Sequence, residues 1–107
     1  KGREYYTAAM EADPSYLDAV YMLGLMHIDA SNVVVEKMND LPRNAKKEYD
    51  KLNAEKDVEL ANALVYFEKA YGINAKDEAT LQALREVYYK LGKYDDAKRI
   101  MEEMGNI

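Results

Sequence analysis

A chain of 107 residues, 49% hydrophobic and 33% charged, has the length and composition of one folded domain. The apolar fraction excludes disorder, and no uncharged apolar run approaches the roughly 18 residues of a membrane span. Zero cysteines remove disulfides, thiolate metal sites and cysteine nucleophiles together, and a net charge of −5 argues against a nucleic-acid backbone as partner. Two prolines and five glycines in a chain rich in Ala, Leu, Lys and Glu point to helix. Because the first residue is Lys1, the chain is expected to be a piece of a longer one, with any leader peptide upstream.

Five helical segments follow from periodicity and punctuation. The first, about Arg3 to Ala12, places Tyr6, Ala9 and Met10 on one face and stops at Asp13-Pro14. Ser15 can cap the second, in which Leu17, Val20, Leu23, Gly24 and His27 recur at helical spacing before Asn39-Asp40-Leu41-Pro42 ends it. Val33-Val34-Val35 favours strand locally, but no partner strand is near, so the segment reads as helix with a kink near Ser31-Asn32. A third helix runs from Asn44 or Ala45 to Tyr71, with Gly72 as its expected C-terminal cap. The fourth spans Asp77 to Leu91 and ends at Gly92, and the fifth spans Tyr94 to Met104 and ends at Gly105. The two long segments carry apolar stripes in alternating steps of three and four. One reads Val20, Gly24, His27, Ser31, Val34, Met38, Leu41; the other reads Ala45, Tyr49, Leu52, Lys56, Leu60, Ala63, Phe67, Ala70. Such stripes suit an antiparallel pair, looser where Ser31 and Lys56 interrupt them.

An internal repeat is visible. Tyr6-x-x-Ala9 before Asp13-Pro14 parallels Phe67-x-x-Ala70 before Asn74-Ala75. Each is followed by a helix of one pattern, Val20-x-x-Leu23-Gly24-x-x-His27 and Leu81-x-x-Leu84-Arg85-x-x-Tyr88, and the last unit adds Gly92, Tyr94 and Ala97. The combination resembles the tetratricopeptide repeat, a helix–turn–helix unit of about 34 residues. The resemblance covers nearly the whole chain except about residues 31–58. Arg85 replaces a glycine, Ala75 a proline, and Met101 and Met104 stand where an aromatic and an alanine are usual.

The resemblance implies an all-α fold: a right-handed superhelical stack of antiparallel helix pairs, an α-solenoid, here of five helices with two unusually long. It divides the single domain 1–107 into the second helix of one repeat (1–14), a repeat with a long hairpin insertion at about 31–58 (15–76), and a C-terminal repeat (77–107). Leu41-Pro42 would form the tip of the projecting hairpin, as a contact surface or as a solvated spacer.

Little in the chain suggests catalysis. His27 is the sole histidine and stands where the repeat packs a tyrosine, so a buried core ring is expected; Ser15 and Ser31 are the only serines. No phosphate loop and no Glu-x-x-His pair occurs. The adjacent acids Asp95-Asp96 and Glu102-Glu103 diverge around their helix, and Lys46-Lys47 is followed by Glu48 and Asp50, which makes a mixed solvated face. No enzyme activity, cofactor, metal or nucleic acid is expected, and no membrane insertion by this segment.

In proteins of the resembled family the first helix of each unit lines the concave face. Carried over by position, that face comprises Asp18, Tyr21, Leu25, Ile28 and Asp29, with Ala79, Gln82, Glu86, Tyr89 and Lys90. Asp18, Tyr21, Leu25, Ile28, Gln82, Glu86 and Tyr89 are the expected partner-binding residues, suited to a peptide or protein docked through apolar anchors. The alternative for them is packing against neighbouring helices. Members that clamp a partner's C-terminal carboxylates use lysine and asparagine where Tyr21 and Leu25 stand, so that clamp is not expected. Tyr66, Tyr88, Met22 and Met26 fall at core spacing, whereas Tyr5, Tyr16 and Tyr71 suit unit junctions with hydroxyls in water. The expected function is a non-catalytic protein-interaction module; the alternative is a structural segment that forms a homo-oligomer or joins domains. Long-hairpin repeat proteins of this kind are often bacterial and exported, which leans the location toward the cell envelope, with the cytosol equally compatible with the composition.

Overall fold

The computed structural model describes residues 2–13 and 16–105 and contains α1 (Gly2–Ala12), α2 (Leu17–Asn39), α3 (Lys46–Ile73), α4 (Glu78–Lys90) and α5 (Tyr94–Gly105). No strand occurs among the described residues. The anticipated stop at Pro14 and cap at Ser15 lie outside them. The described N-cap of α2 is Tyr16, whose amide donates to Asp13 O at 2.9 Å, and Asp18 places negative charge in the first turn. Helix α2 continues through Val33-Val34-Val35. At the anticipated kink the Ser31 hydroxyl turns back to donate to Ile28 O at 2.7 Å, a local bond that lets serine sit buried inside a helix.

Gly72 is not the end of α3. The helix runs to Ile73, and the chain turns away at Asn74, which is extended (φ −148°, ψ 98°) and whose Oδ1 accepts from Lys76 N. The left-handed glycine of the fold is Gly92 (φ +78°). There Lys93 N reaches Tyr88 O and Gly92 N reaches Tyr89 O, closing α4 with the paired bonds that only a residue tolerant of positive φ permits easily. Asp77 caps the start of α4 as anticipated, its Oδ2 accepting from both Thr80 N and Thr80 Oγ1.

Each helix packs on its neighbours in sequence, most extensively α2 on α3. Contacts along that pair run in opposite order, Gly24 facing Phe67 and Met38 sharing a cavity with Tyr49, so the two are antiparallel. The molecule measures 46 × 35 × 14 Å. Its long dimension matches the roughly 42 Å of a 28-residue helix, and its short one is two helices thick.

The core is continuous across α3, α4 and α5: Leu60, Ala63, Leu64 and Phe67 meet Leu81, Leu84, Val87 and Tyr88, with Ala97 and Ile100 beneath. Helix α2 packs against it through Tyr21, Leu25 and Ile28, and also buries Ala19, Val20 and Leu23. Gly24 is required by proximity, since a Cβ there would lie 2.5 Å from Cε1 of the fully buried Phe67 ring. His27 is buried as expected, but with a polar partner: Nδ1 lies 2.9 Å from Glu59 Oε1, and the ring stacks on Tyr66. The Tyr71 hydroxyl donates to Glu103 and ties α3 to α5.

Tyr88 ties α4 to α3 by donating to Glu68 Oε2 at 2.7 Å. Burial first, then the bond to Glu68 and its charge, push the Tyr88 phenol up to about 12. The native state therefore holds this proton more tightly than the unfolded chain, whose phenols ionise near 10. Its contribution is complete below about pH 10 and is lost as pH rises toward 12. We expect urea-unfolding stability to fall by roughly 1–2 kcal/mol more over that interval in the parent than in Tyr88→Phe. Parallel pH curves for the two proteins would refute the assignment.

Candidate functional site

Successive residues of a helix advance by about 100°, so Tyr21, Leu25 and Ile28 form one stripe along α2. Ala79, Gln82, Ala83, Glu86 and Val87 face it from α4, and the Phe67 ring supplies the floor. These side chains enclose a groove of about 140 Å³. Tyr21 lies against the Phe67 ring, centroids 5.6 Å apart and tilted by 55°. Its phenol is pushed above the ordinary tyrosine range, mainly by burial and then by the nearby carboxylates Asp77 and Glu86. The groove is thus apolar along its base, with amide and carboxylate groups at its lip.

Five of the seven expected partner-binding residues, Tyr21, Leu25, Ile28, Gln82 and Glu86, line this groove together, as does Ala79. Asp18 and Asp29 are exposed and outside its lining. Tyr89 is outside the lining: it stands about 60° around α4 from Glu86, where its ring meets Tyr94 edge-on at 5.3 Å and borders an adjoining hollow with Arg85, Glu86, Ala97 and Met101. Lys90, four residues beyond Glu86, continues the groove side of α4 instead. Phe67, Ala83 and Val87 complete the lining without having been anticipated there. Spacing could have shown Ala83 and Val87, which flank Gln82 and Glu86, whereas Phe67 comes from α3, a helix outside the positions carried over.

Among the described residues no three His, Cys, Asp or Glu side chains gather as a metal-ligand cluster, and no helix is long and apolar enough to cross a membrane. His27 borders a hollow with Met10, Asn62, Val65, Tyr66 and Lys69, and its Nδ1 is already engaged by Glu59. Contact and charge are what the groove offers.

Among protein families, the model of the tetratricopeptide repeat matches residues 45–107, more than half of the chain. The match begins at the hairpin tip and takes in α3, α4 and α5, including Phe67 on the floor of the groove and every lining residue that α4 contributes. No curated protein matches the chain.

Proposed function

Because the chain belongs to the tetratricopeptide repeat family, whose repeats generally mediate protein–protein contact, we propose that it is a non-catalytic module holding a peptide or protein segment in the α2–α4 groove. In this reading α1 is the second helix of one repeat, α2 and α3 form the next, and α4 and α5 the last. The observation that carries it is the convergence of Tyr21, Leu25 and Ile28 on Gln82 and Glu86 around an apolar base. A segment bound there buries its apolar side chains against Leu25 and Ile28 and meets Gln82 and Glu86 at the lip.

Selection of a random dodecapeptide library on the purified chain tests this. Leu25→Glu puts a charge into the base of the groove and should weaken the selected peptides at least 30-fold, the loss of about 2 kcal/mol that marks a central contact. Val65→Glu, on an exposed face of α3, should leave them unchanged. Equal binding to parent and Leu25→Glu would overturn the proposal.

A second reading, self-association, is favoured by one feature. Tyr89, Tyr94 and Met101 are each more than half exposed and lie together on the α4–α5 face. Light scattering over a hundredfold concentration range decides it, since a mass that stays at one chain throughout excludes a stable oligomer.

A further inference from the structure

One turn beyond the groove, the same two helices border a second and larger cavity. Ser31, Asn32 and Val35 of α2, Lys56 and Leu60 of α3, and Lys90 of α4 enclose about 310 Å³. The register is continuous with the first: Ile28 is followed by Asn32 and Val35 along α2, and Glu86 by Lys90 along α4. The charged groups differ: the first hollow lies beside the carboxylates Asp77 and Glu86, whereas the second is lined by two lysines, Lys56 from α3 and Lys90 from α4, with Glu86 between the two hollows as the ion-pair partner of Lys90.

Neither ammonium is tightly engaged. Lys56 Nζ stands 3.7 Å from Asp57 and Lys90 Nζ stands 3.5 Å from Glu86, both longer than the roughly 2.7–2.9 Å of a charge-assisted hydrogen bond. Lys56 is nonetheless drawn in, with its side chain only 24% exposed. The Ser31 hydroxyl has given its proton to Ile28 O, and Val35 and Leu60 supply apolar walls. Four of the six lining residues, Ser31, Asn32, Val35 and Lys56, fall in the stretch that the repeat pattern does not cover. Ser31, Asn32 and Val35 precede the family match and Lys56, Leu60 and Lys90 lie within it, so the cavity is built at the root of the hairpin from both.

We propose that this cavity is a subsite for an acidic side chain, an Asp or Glu of the segment that occupies the groove, held between Lys56 and Lys90 with the Asn32 amide beside it. This rests on the groove reading above and adds direction to it. Apolar residues of the bound segment lie over Leu25 and Ile28, and its carboxylate follows at the hairpin end. A segment laid the other way brings its carboxylate toward Asp77 and away from both lysines, and is disfavoured by like charge.

The library is displayed with its peptides fused at their C-termini, so that only side-chain carboxylates are presented. Peptides selected on the parent chain should share an apolar residue followed within three or four positions by Asp or Glu. A synthetic peptide of the most enriched sequence, with an amidated C-terminus, should bind the parent about tenfold more tightly than its Glu→Gln or Asp→Asn counterpart. On the double variant Lys56→Gln, Lys90→Gln, whose fold is checked by circular dichroism, the two peptides should bind alike. Selected peptides without an acidic position, or a tenfold ratio that persists in the double variant, overturn the subsite and leave the groove standing. Selection that proceeds equally on Leu25→Glu overturns the groove reading instead. A library that yields nothing above bare resin overturns both.

Discussion

Gly24→Ala should lower the stability of this chain by about 2 kcal/mol, although alanine is the better helix former by about 1 kcal/mol. The added methyl would fall 2.5–2.9 Å from three atoms of the Phe67 ring. That ring is wholly buried with Tyr21 tilted against it, so admitting the methyl means displacing both rings. The test is a double-mutant cycle by urea unfolding. Phe67→Leu alone opens a void and is destabilising. In the Gly24→Ala background it also relieves the overlap, so the two losses should sum to at least 1 kcal/mol more than the double variant shows. Additive losses would mean that the glycine is there for another reason.

The second large effect is a gradient of opening along the hairpin. From residue 32 to residue 59 only Met38 is buried, whereas Leu60, Ala63, Leu64, Phe67 and Ala70 follow within three turns of α3. Tyr49 continues the stripe yet is 48% exposed, because beyond the stack no third helix covers the pair. The exposed pair Lys46–Asp50, with Nζ 3.0 Å from Oδ2, adds little to hold the outer turns. Amides between about Val35 and Glu55 should exchange with solvent at least 100-fold faster than those from Leu60 to Ala70, a difference of about 2.7 kcal/mol in opening free energy. Uniform protection along α3 would refute this and would mean that the hairpin opens only with the whole domain.

The helices and their stacking were legible because they depend on local spacing. Leu23-Gly24, Phe67-x-x-Ala70 and Gly92 sit at fixed intervals, and each interval has one structural meaning: a close approach, a filled gap, a left-handed turn. Gly72 shows the limit of such punctuation. Glycine permits a helix to end without obliging it to, and α3 stops one residue later, where Asn74 becomes extended. Polar partners were less legible. His27 with Glu59 and Tyr71 with Glu103 are each 32 residues apart, and Tyr88 with Glu68 is 20 apart. Nothing local distinguishes those three glutamates from the other acids on their helices. Helical spacing alone aligns Tyr21, Leu25 and Ile28 on α2 and Gln82 and Glu86 on α4, whereas the contact of Tyr89 with Tyr94 depends on how α5 returns. Lys56 read as a flaw in a stripe and is instead a wall of the second cavity, a role that emerges only when α2, α3 and α4 are assembled.

The projection of the hairpin beyond the stack has a consequence for how such a chain can vary. Between residues 36 and 55 the arms of α2 and α3 bury only Met38, so little in the stack fixes their length. Seven residues added to each arm, beyond Val35 and before Lys56, close very nearly two turns, preserve the seam and extend the tip by about 10 Å. The lining of both cavities is left where it was. Reach and recognition are therefore separate variables in this architecture, one set by the number of turns in the hairpin, the other by the side chains at its root.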